Sequence, residues 1–461
     1  MRPPLKHFSL SILLVTLLAT AGFGCKGLSK DQQSTLKPVS LNFWTVYEDT
    51  AELNKLAAKY NKIYPHVKVN IRQVRYDEFE NLLINALADD VAPDVVSMHT
   101  RWLNHYVNRL SVAPASVKMS RFVTADNLTK DTSIVLDTNN LPTAASIKKD
   151  YVVSVYNDAI IGGQVYGLPQ SFDTLAVYYN KDLLDKANVP EAPGTWDEFL
   201  QAVKASTKFD KNGKILQAGT ALGAGNNIDN ATDILTLLMM QNGMEIVSGK
   251  SVAFDAGLKP ETVANHPTLQ ALRFYTDFAR PNKEAYTWTE EMGNALDSFT
   301  RGKVVFYFGF AYDLARIKSQ APEMNLEIIS VPQLNPSAPV NVANYWIQSV
   351  PKKSKHQNEA WDFIRFISSP ENVQSYSEAT RRPSPFRAHI KEQKDNPLLA
   401  PFATQALIAK NWYNGQNIDV ANAAIKDLIT NFLKPYAEGE DKNKRDANLI
   451  QNAAAIVRQT M

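Results

Sequence analysis

VSLNFWTVYEDTAELNKLAAKYNKIYPHVKVNIRQVRYDEFENLLINALADDVAPDVVSM, Val39–Met98, decides the fold. Val39–Val46 alternates and is rich in β-formers, which reads as a strand. Leu53, Leu56, Ala57, Tyr60 and Ile63 then recur at helical spacing, and Pro65 ends the run. Val67–Val74 alternates again. Tyr76–Asp90 puts Phe79, Leu82, Leu83, Ala86 and Leu87 on one side of a helix, and Asp94–Met98 reads as a short buried strand. The order β-α-β-α-β predicts a parallel sheet with helices on both faces. In such sheets ligands bind beyond the carboxyl ends of the strands. That rule points to Tyr47, Glu48 and Asp49 after the first strand, and to His99, Thr100, Arg101 and Trp102 after the third.

Upstream lies a different kind of segment. MRPPLKHF carries Arg2 and Lys6 without an acidic residue, and an apolar run follows to Gly24. A basic start, a short apolar run and small residues describe a secretory signal. The run is short for a spanning helix, which needs about 20 apolar residues. It ends in Ala21-Gly22-Phe23-Gly24-Cys25. This resembles the lipobox of bacterial lipoproteins, in which the cysteine becomes the lipid-bearing N-terminus; Gly22 departs from the usual leucine. The other readings are a plain signal peptide with an incidental cysteine, or an uncleaved anchor. Cys25 is the sole cysteine of the 461 residues, so the fold stands without disulfides and a thiolate metal site is excluded. Residues 1–24 are thus expected to be a lipoprotein signal peptide and 25–38 a polar tether.

Downstream, strands and helices continue to alternate. Asn104–Asp150 is less regular, with two apparent helices. Gly163-Gln164 reads as a turn between short strands, Leu175–Tyr179 as a strand, and Lys181–Ala187 as the start of a helix. Thr195 before Trp196-Asp197-Glu198 is a capping box, and Asp210–Gly213 a turn between strands. Helices are predicted over Asp229–Asn242, Thr268–Ala279 and Gln357–Ile367, one more ending at Arg301 before Gly302, and strands over Lys303–Phe308 and Ala343–Val350. Pro397–Thr460 is helical, with breaks near Asn414-Gly415 and Lys434-Pro435. Trp44, Trp196 and Trp361 lie within regular elements and are expected in the core.

Composition excludes some functions. Lysine plus arginine number 49 against 47 acidic residues, and removing Arg2 and Lys6 leaves no net charge. No field draws the mature chain to nucleic acid. There is no HExxH and no GxSxG. Ser248-Gly249-Lys250-Ser251 lacks the leading glycine of a phosphate loop, since residue 244 is Met244. Asp210-Lys211-Asn212 opens like a calcium loop, but Ile215 stands where glycine is needed. No metal site and no cofactor are expected. A carboxylate pair for glycoside hydrolysis, drawn from Glu48, Asp173 and Glu290 or Glu291, stays open, because such pairing is spatial.

Several segments carry a family likeness: YGLPQSFD (Tyr166–Asp173) followed by LAVYYNKDL (Leu175–Leu183), PGTWDEFL (Pro193–Leu200), FTRGKV (Phe299–Val304) continuing to Gly309, and AWDFI (Ala360–Ile364) followed by Ser369-Pro370-Glu371. In this order and spacing the chain resembles the extracellular solute-binding proteins of ABC importers. The likeness is to the family 1 carbohydrate binders, which are maltose-binding-protein-like. The resemblance implies an α/β, two-lobe periplasmic-binding-protein-like fold of type II, with discontinuous lobes joined by hinge segments. Lobe one would comprise residues 39–172 with 347–381, and lobe two residues 173–346 with 382–461. The chain would cross near Phe172–Thr174, Asn344–Ile347 and Arg381–Pro385. The implied partners are a small-molecule ligand, a sugar, and the transmembrane subunits of an ABC permease. The membrane is reached through the N-terminal lipid. A monomer outside the cytoplasm is expected, not an enzyme.

A sugar offers apolar C–H faces and hydroxyl edges, so its site needs aromatic faces and paired polar groups. Candidates are Tyr47 and Glu48; Arg101 and Trp102; Phe172 and Asp173 at the first crossing; Asn226 after a glycine-rich strand end; and Phe310 and Tyr312 after Gly309. Tyr345 and Trp346 lie at the second crossing, Arg382 at the third, and Trp412 in the tail. Asp and Glu accept from adjacent hydroxyls, and Arg donates in a fork. Glu48, Asp173 and Arg382 have an alternative role in bonds within the hinge. The other functions left open are an extracytoplasmic enzyme such as a glycoside hydrolase, and the same fold holding a polyamine, a glycerol phosphate or a peptide.

Overall fold

The computed structural model describes residues 36–124 and 132–461. The signal segment, Cys25 and nearly all of the tether lie outside the described residues. Two five-stranded sheets organise the rest. The first has the order Val67–Gln73, Val39–Thr45, Val95–His99, Trp346–Ser349, Leu168–Pro169. Its first three strands are parallel, and the last two run against them. The middle strand, VVSMH, is buried at every position, as a strand covered on both faces must be. The neighbouring strand alternates instead: Ser40 and Asn42 are exposed between buried Val39, Leu41 and Phe43.

The second sheet has the order Lys208–Phe209, Ile215–Thr220, Val304–Gly309, Ala176–Asn180, Leu326–Ser330. Ile215–Thr220 and Val304–Gly309 are parallel, so both deliver the chain to the same edge. Local signals place its helices. Thr195 accepts from the Glu198 N–H while Glu198 reaches back to the Thr195 N–H, completing the capping box. Asp210 accepts from the N–H groups of Asn212 and Lys214, and Gly213 takes the positive φ of +78° that the turn requires. Gly162 and Gly163 both have positive φ, so the hairpin of Ile160–Ile161 and Gln164–Val165 turns one residue earlier than the sequence reading placed it.

The chain passes between the sheets at Gln170–Leu175 and again at Ala343–Tyr345. The third passage is longer than its sequence reading. Arg381 ends helix Pro370–Thr380 in the left-handed region, at φ 56°. The chain then stays beside the first sheet: Pro383 accepts from the Phe172 N–H, and Pro385 from the Val152 N–H. It meets the second sheet only at helix Ala400–Gln405, against Leu326–Ser330.

The region 104–150 departs most from expectation. It contains a long antiparallel hairpin, Ser116–Thr124 with Thr132–Asn140, before helix Ala144–Asp150. One side chain pins it to the first lobe. Asp362, fully buried on helix Gln357–Ile367, accepts from Asn139 Nδ2 (2.8 Å), Tyr60 OH (2.8 Å) and Arg365 Nε (3.0 Å). Trp196 and Trp361 are core residues as expected. Trp44 is half-buried instead, under the Arg72 guanidinium 5.0 Å from its ring centroid. Asp362→Ala would leave these donors facing an apolar methyl. We expect a loss of about 2–4 kcal/mol of stability, read as a lowered urea midpoint, together with faster proteolysis of the hairpin.

Candidate ligand-binding cleft

The carboxyl ends of the strands converge on the gap between the lobes. From the first lobe come Tyr47, then Tyr76 at the start of helix Tyr76–Ala88, and His99 and Arg101. Trp346 pairs with His99 across the sheet, so its indole joins them. From the second lobe come Asp229, Asn230, Thr232 and Asp233 before and within helix Ala231–Gln241, and Tyr312 after Val304–Gly309. Helix Ile418–Leu433 adds Ile418, Asp419, Asn422 and Lys426. Together these line a chamber of about 540 Å³.

Aromatic rings form its first wall. Behind the lining rings Tyr47, Tyr76, Tyr312 and Trp346, the sequence candidate Trp102 is buried off the chamber, sandwiched between Phe79 (5.6 Å, 11°) and Tyr76 (5.3 Å, 26°). Trp346 stands edge-on to it at 5.3 Å. The Tyr47 ring reaches across the gap and stacks on Tyr312 of the other lobe, at 5.2 Å and 24°. The facing wall is polar. Among the described residues, the side chains of Asp419 and Lys426 show no hydrogen bond or ion pair. Thr232 Oγ1, buried in this wall, has no partner either. Unmet donors and acceptors opposite stacked rings are what a ligand with one apolar face and one hydroxylated edge requires.

The charged residues at the strand ends fix this geometry from behind. Glu48 is buried and accepts from Tyr376 OH (2.6 Å), with Arg382 Nη1 3.5 Å away. Burial pushes its carboxyl up, and Arg382 and Tyr376 draw it back. Arg382 also donates to the Tyr47 carbonyl (2.6 Å), and the Asp49 N–H donates to Tyr376 OH (2.8 Å). This network holds the Tyr47 turn. Asp173 does the same for Tyr312: it accepts from the N–H groups of Ala311 (2.9 Å), Tyr312 (3.2 Å) and Thr174 (2.8 Å). Burial moves its carboxyl up to about 7, against the pull of these donors and of Arg382. Gly309 makes the turn possible, because a Cβ there would lie 2.5 Å from the Tyr307 ring and 2.7 Å from Asp313.

Of the other sequence candidates, Phe172 and Phe310 have no exposed surface. Phe172 packs on Tyr345 (4.6 Å), and Phe310 lies under Tyr312 (5.6 Å). Tyr345 is buried and donates to Asp158 (2.8 Å). Asn226 is exposed, away from the chamber, and donates to Glu290 (3.0 Å). Arg101 is buried and spans the lobes: Nη2 donates to Asp233 Oδ1 (2.7 Å) and Nε to Asn411 (3.1 Å), and the guanidinium lies 5.0 Å from the Trp412 ring. Trp412 Nε1 donates to the same Asp233 oxygen (2.7 Å). The sequence reading did not single out Tyr76, Asp229, Asp233, Asp419, Asn422 or Lys426. Tyr76 follows the second strand, where the strand-end rule applies equally. Asp419, Asn422 and Lys426 recur at helical spacing on one face of helix Ile418–Leu433.

The model of the family described as bacterial extracellular solute-binding protein matches residues 45–374. An uncharacterized ABC transporter extracellular-binding protein of Pyrococcus horikoshii is 22% identical over 414 residues, 85% of this chain and 82% of its own. The multiple sugar-binding protein of Streptococcus mutans is 23% identical over 293 residues, 61% of this chain and 67% of its own. Among solved structures, the cyclic α-maltosyl-1,6-maltose binding protein of Arthrobacter globiformis superposes with a TM-score of 0.68 at 18% identity, over 92% of this chain and 100% of that one. That likeness shows the fold.

His99 carries a pH prediction. Its Nδ1 accepts the Arg101 N–H (3.2 Å), so Nε2 bears the proton and donates to Asn344 Oδ1 (2.8 Å). Burial, reinforced by the Arg101 cation, lowers its pKa to about 3. The unfolded ring titrates near 6.5. The stability this neutral ring supports is therefore complete above pH 6.5 and is lost as pH falls toward 3. Relative to His99→Gln, the native chain should lose about 2 kcal/mol between pH 7 and pH 5. Urea melts at both pH values test this, and parallel behaviour of the two proteins would contradict it.

Proposed function

The chain belongs to the bacterial extracellular solute-binding proteins, and from that premise we propose that it is the lipid-anchored, carbohydrate-capturing component of an ABC importer. The observation that carries the ligand class is the chamber itself, with stacked rings on one wall and unpaired polar groups on the other. Tyr47, Tyr76, Trp346 and Tyr312 offer faces to the sugar rings. Asp229, Asp419, Asn422 and Lys426 bond the hydroxyls. Glu48, Asp173 and Arg382 act as positioning residues for the two tyrosines. The relative named as a multiple sugar-binding protein supports the same ligand class. Hinge closure brings the walls together around the sugar, and the closed form delivers it to permease subunits in the membrane.

Titration calorimetry across mono- and oligosaccharides should find a sugar that binds and is recovered unchanged. Chromatographic detection of hydrolysis products would instead support an enzyme. Tyr312→Ala should weaken the binding of that sugar about tenfold, the scale of one lost aromatic contact. The anchor has its own test. Cys25→Ser should move the exported protein from the detergent phase to the aqueous phase on Triton X-114 partition. Unchanged partition would show that Cys25 carries no lipid.

A further inference from the structure

A second chamber, of about 450 Å³, lies in the same interlobe gap. Its walls include Thr100, Asn104, Asn157, Asp158, Lys410 and Trp412, and it shares no lining residue with the aromatic chamber. The partition between the two is identifiable. Thr100 lines one chamber and Arg101 the other; Trp412 and Asn411 line one and Asp233 the other. The Arg101 guanidinium joins these groups through its bonds to Asp233 and Asn411 and its place against Trp412. Asp233 and Arg101 come from opposite lobes, and Arg101 also donates to the Ala343 carbonyl at a crossing segment (3.1 Å). With all these partners, Arg101 has little left to offer a ligand. A bound chain that runs along the aromatic wall meets the ion pair instead of open cleft.

We propose that the Arg101–Asp233 pair, backed by Trp412 and Asn411, is an end-stop that limits how far an oligosaccharide extends along the cleft. The second chamber is the subsite reached when the pair opens. The polar lining of that chamber suits further hydroxylated rings: Asn104, Asn157 and Lys410 donate, and Asp158 accepts. The inference rests on the carbohydrate reading above and adds the length of the ligand. The aromatic chamber lies within the usual range of ligand pockets, about 300–1,000 Å³, and has room for on the order of two or three sugar rings.

The test is calorimetry with two- to six-unit members of malto-, manno- and galacto-oligosaccharide series. In any series that binds, native affinity should stop rising once two or three units are present. Asp233→Ala should raise the affinity for five- and six-unit members at least tenfold relative to the disaccharide. Asp233→Asn, which keeps an acceptor for Trp412 but not the charge, is the milder variant should the alanine variant fail to fold. Asn157→Trp, added to either, should fill the second chamber and abolish the gain. A native affinity that climbs steadily to six units overturns the end-stop, as does a length profile that Asp233→Ala and Asp233→Asn leave unchanged. Both results leave sugar binding itself intact. Absence of binding to every sugar would overturn the carbohydrate reading, and the end-stop with it.

Discussion

Charges buried at the hinge govern the rest of this molecule. A carboxylate removed from solvent must find donors, because an unpaired one costs far more than folding can supply. Glu48 finds Tyr376, Gln348 and Arg382. Asp173 finds backbone N–H groups from its own crossing segment and from the loop after Val304–Gly309. Arg382 attracts both carboxylates, and so links the two turns electrostatically. Each requirement fixes the backbone of a turn that ends in a cleft tyrosine. The backbones that carry Tyr47 and Tyr312 are thus placed by electrostatics behind them, and the rings then pack on their aromatic neighbours. Breaking such a network by removing one partner is costly, whereas replacing it whole with apolar groups need not be. Its contribution is therefore to position rather than to net stability.

This explains which parts of the site could be read from the chain. The alternation and helical spacing of Val39–Met98 reflect local burial, and the three parallel strands follow them. Thr195 and Glu198 cap their own helix, so a four-residue pattern suffices. The strand-end rule reaches Tyr47 and Arg101 because a parallel sheet leaves little freedom there, and Trp346 is reached through the second crossing. It does not say which way a side chain turns. Glu48, Asp173 and Arg382 read as ligand groups by type and position, and the structure turns them inward to hold the frame. The Ser116–Asn140 hairpin was hidden for another reason. SVKMSRFVT sets buried Val117 and Met119 beside Lys118, Ser120 and Arg121, and TSIVLDTNN ends in polar residues. The contact that docks it on the lobe is to Asp362, far along the chain. No local window contains that information.

The contacts that join the lobes are unequal, and the inequality has consequences for capture. The Tyr47–Tyr312 stack is exposed on one side, with Tyr47 38% accessible. Such a pair contributes about 0.5–1.5 kcal/mol beyond its buried area. A ligand ring that inserts between or beside these faces recovers that amount through its own apolar contacts, so the stack poses little barrier to entry. The Arg101–Asp233 pair is different. Both groups are removed from water, and the carboxylate oxygen is shared with the Trp412 indole. Separating them exposes one charge to a wall that cannot solvate it, and a neutral hydroxyl cannot match the interaction lost. A ligand therefore rearranges the aromatic side of the cleft first and leaves the ion pair in place. The aromatic side is the adaptable wall of this cleft, and the ion pair is its fixed boundary.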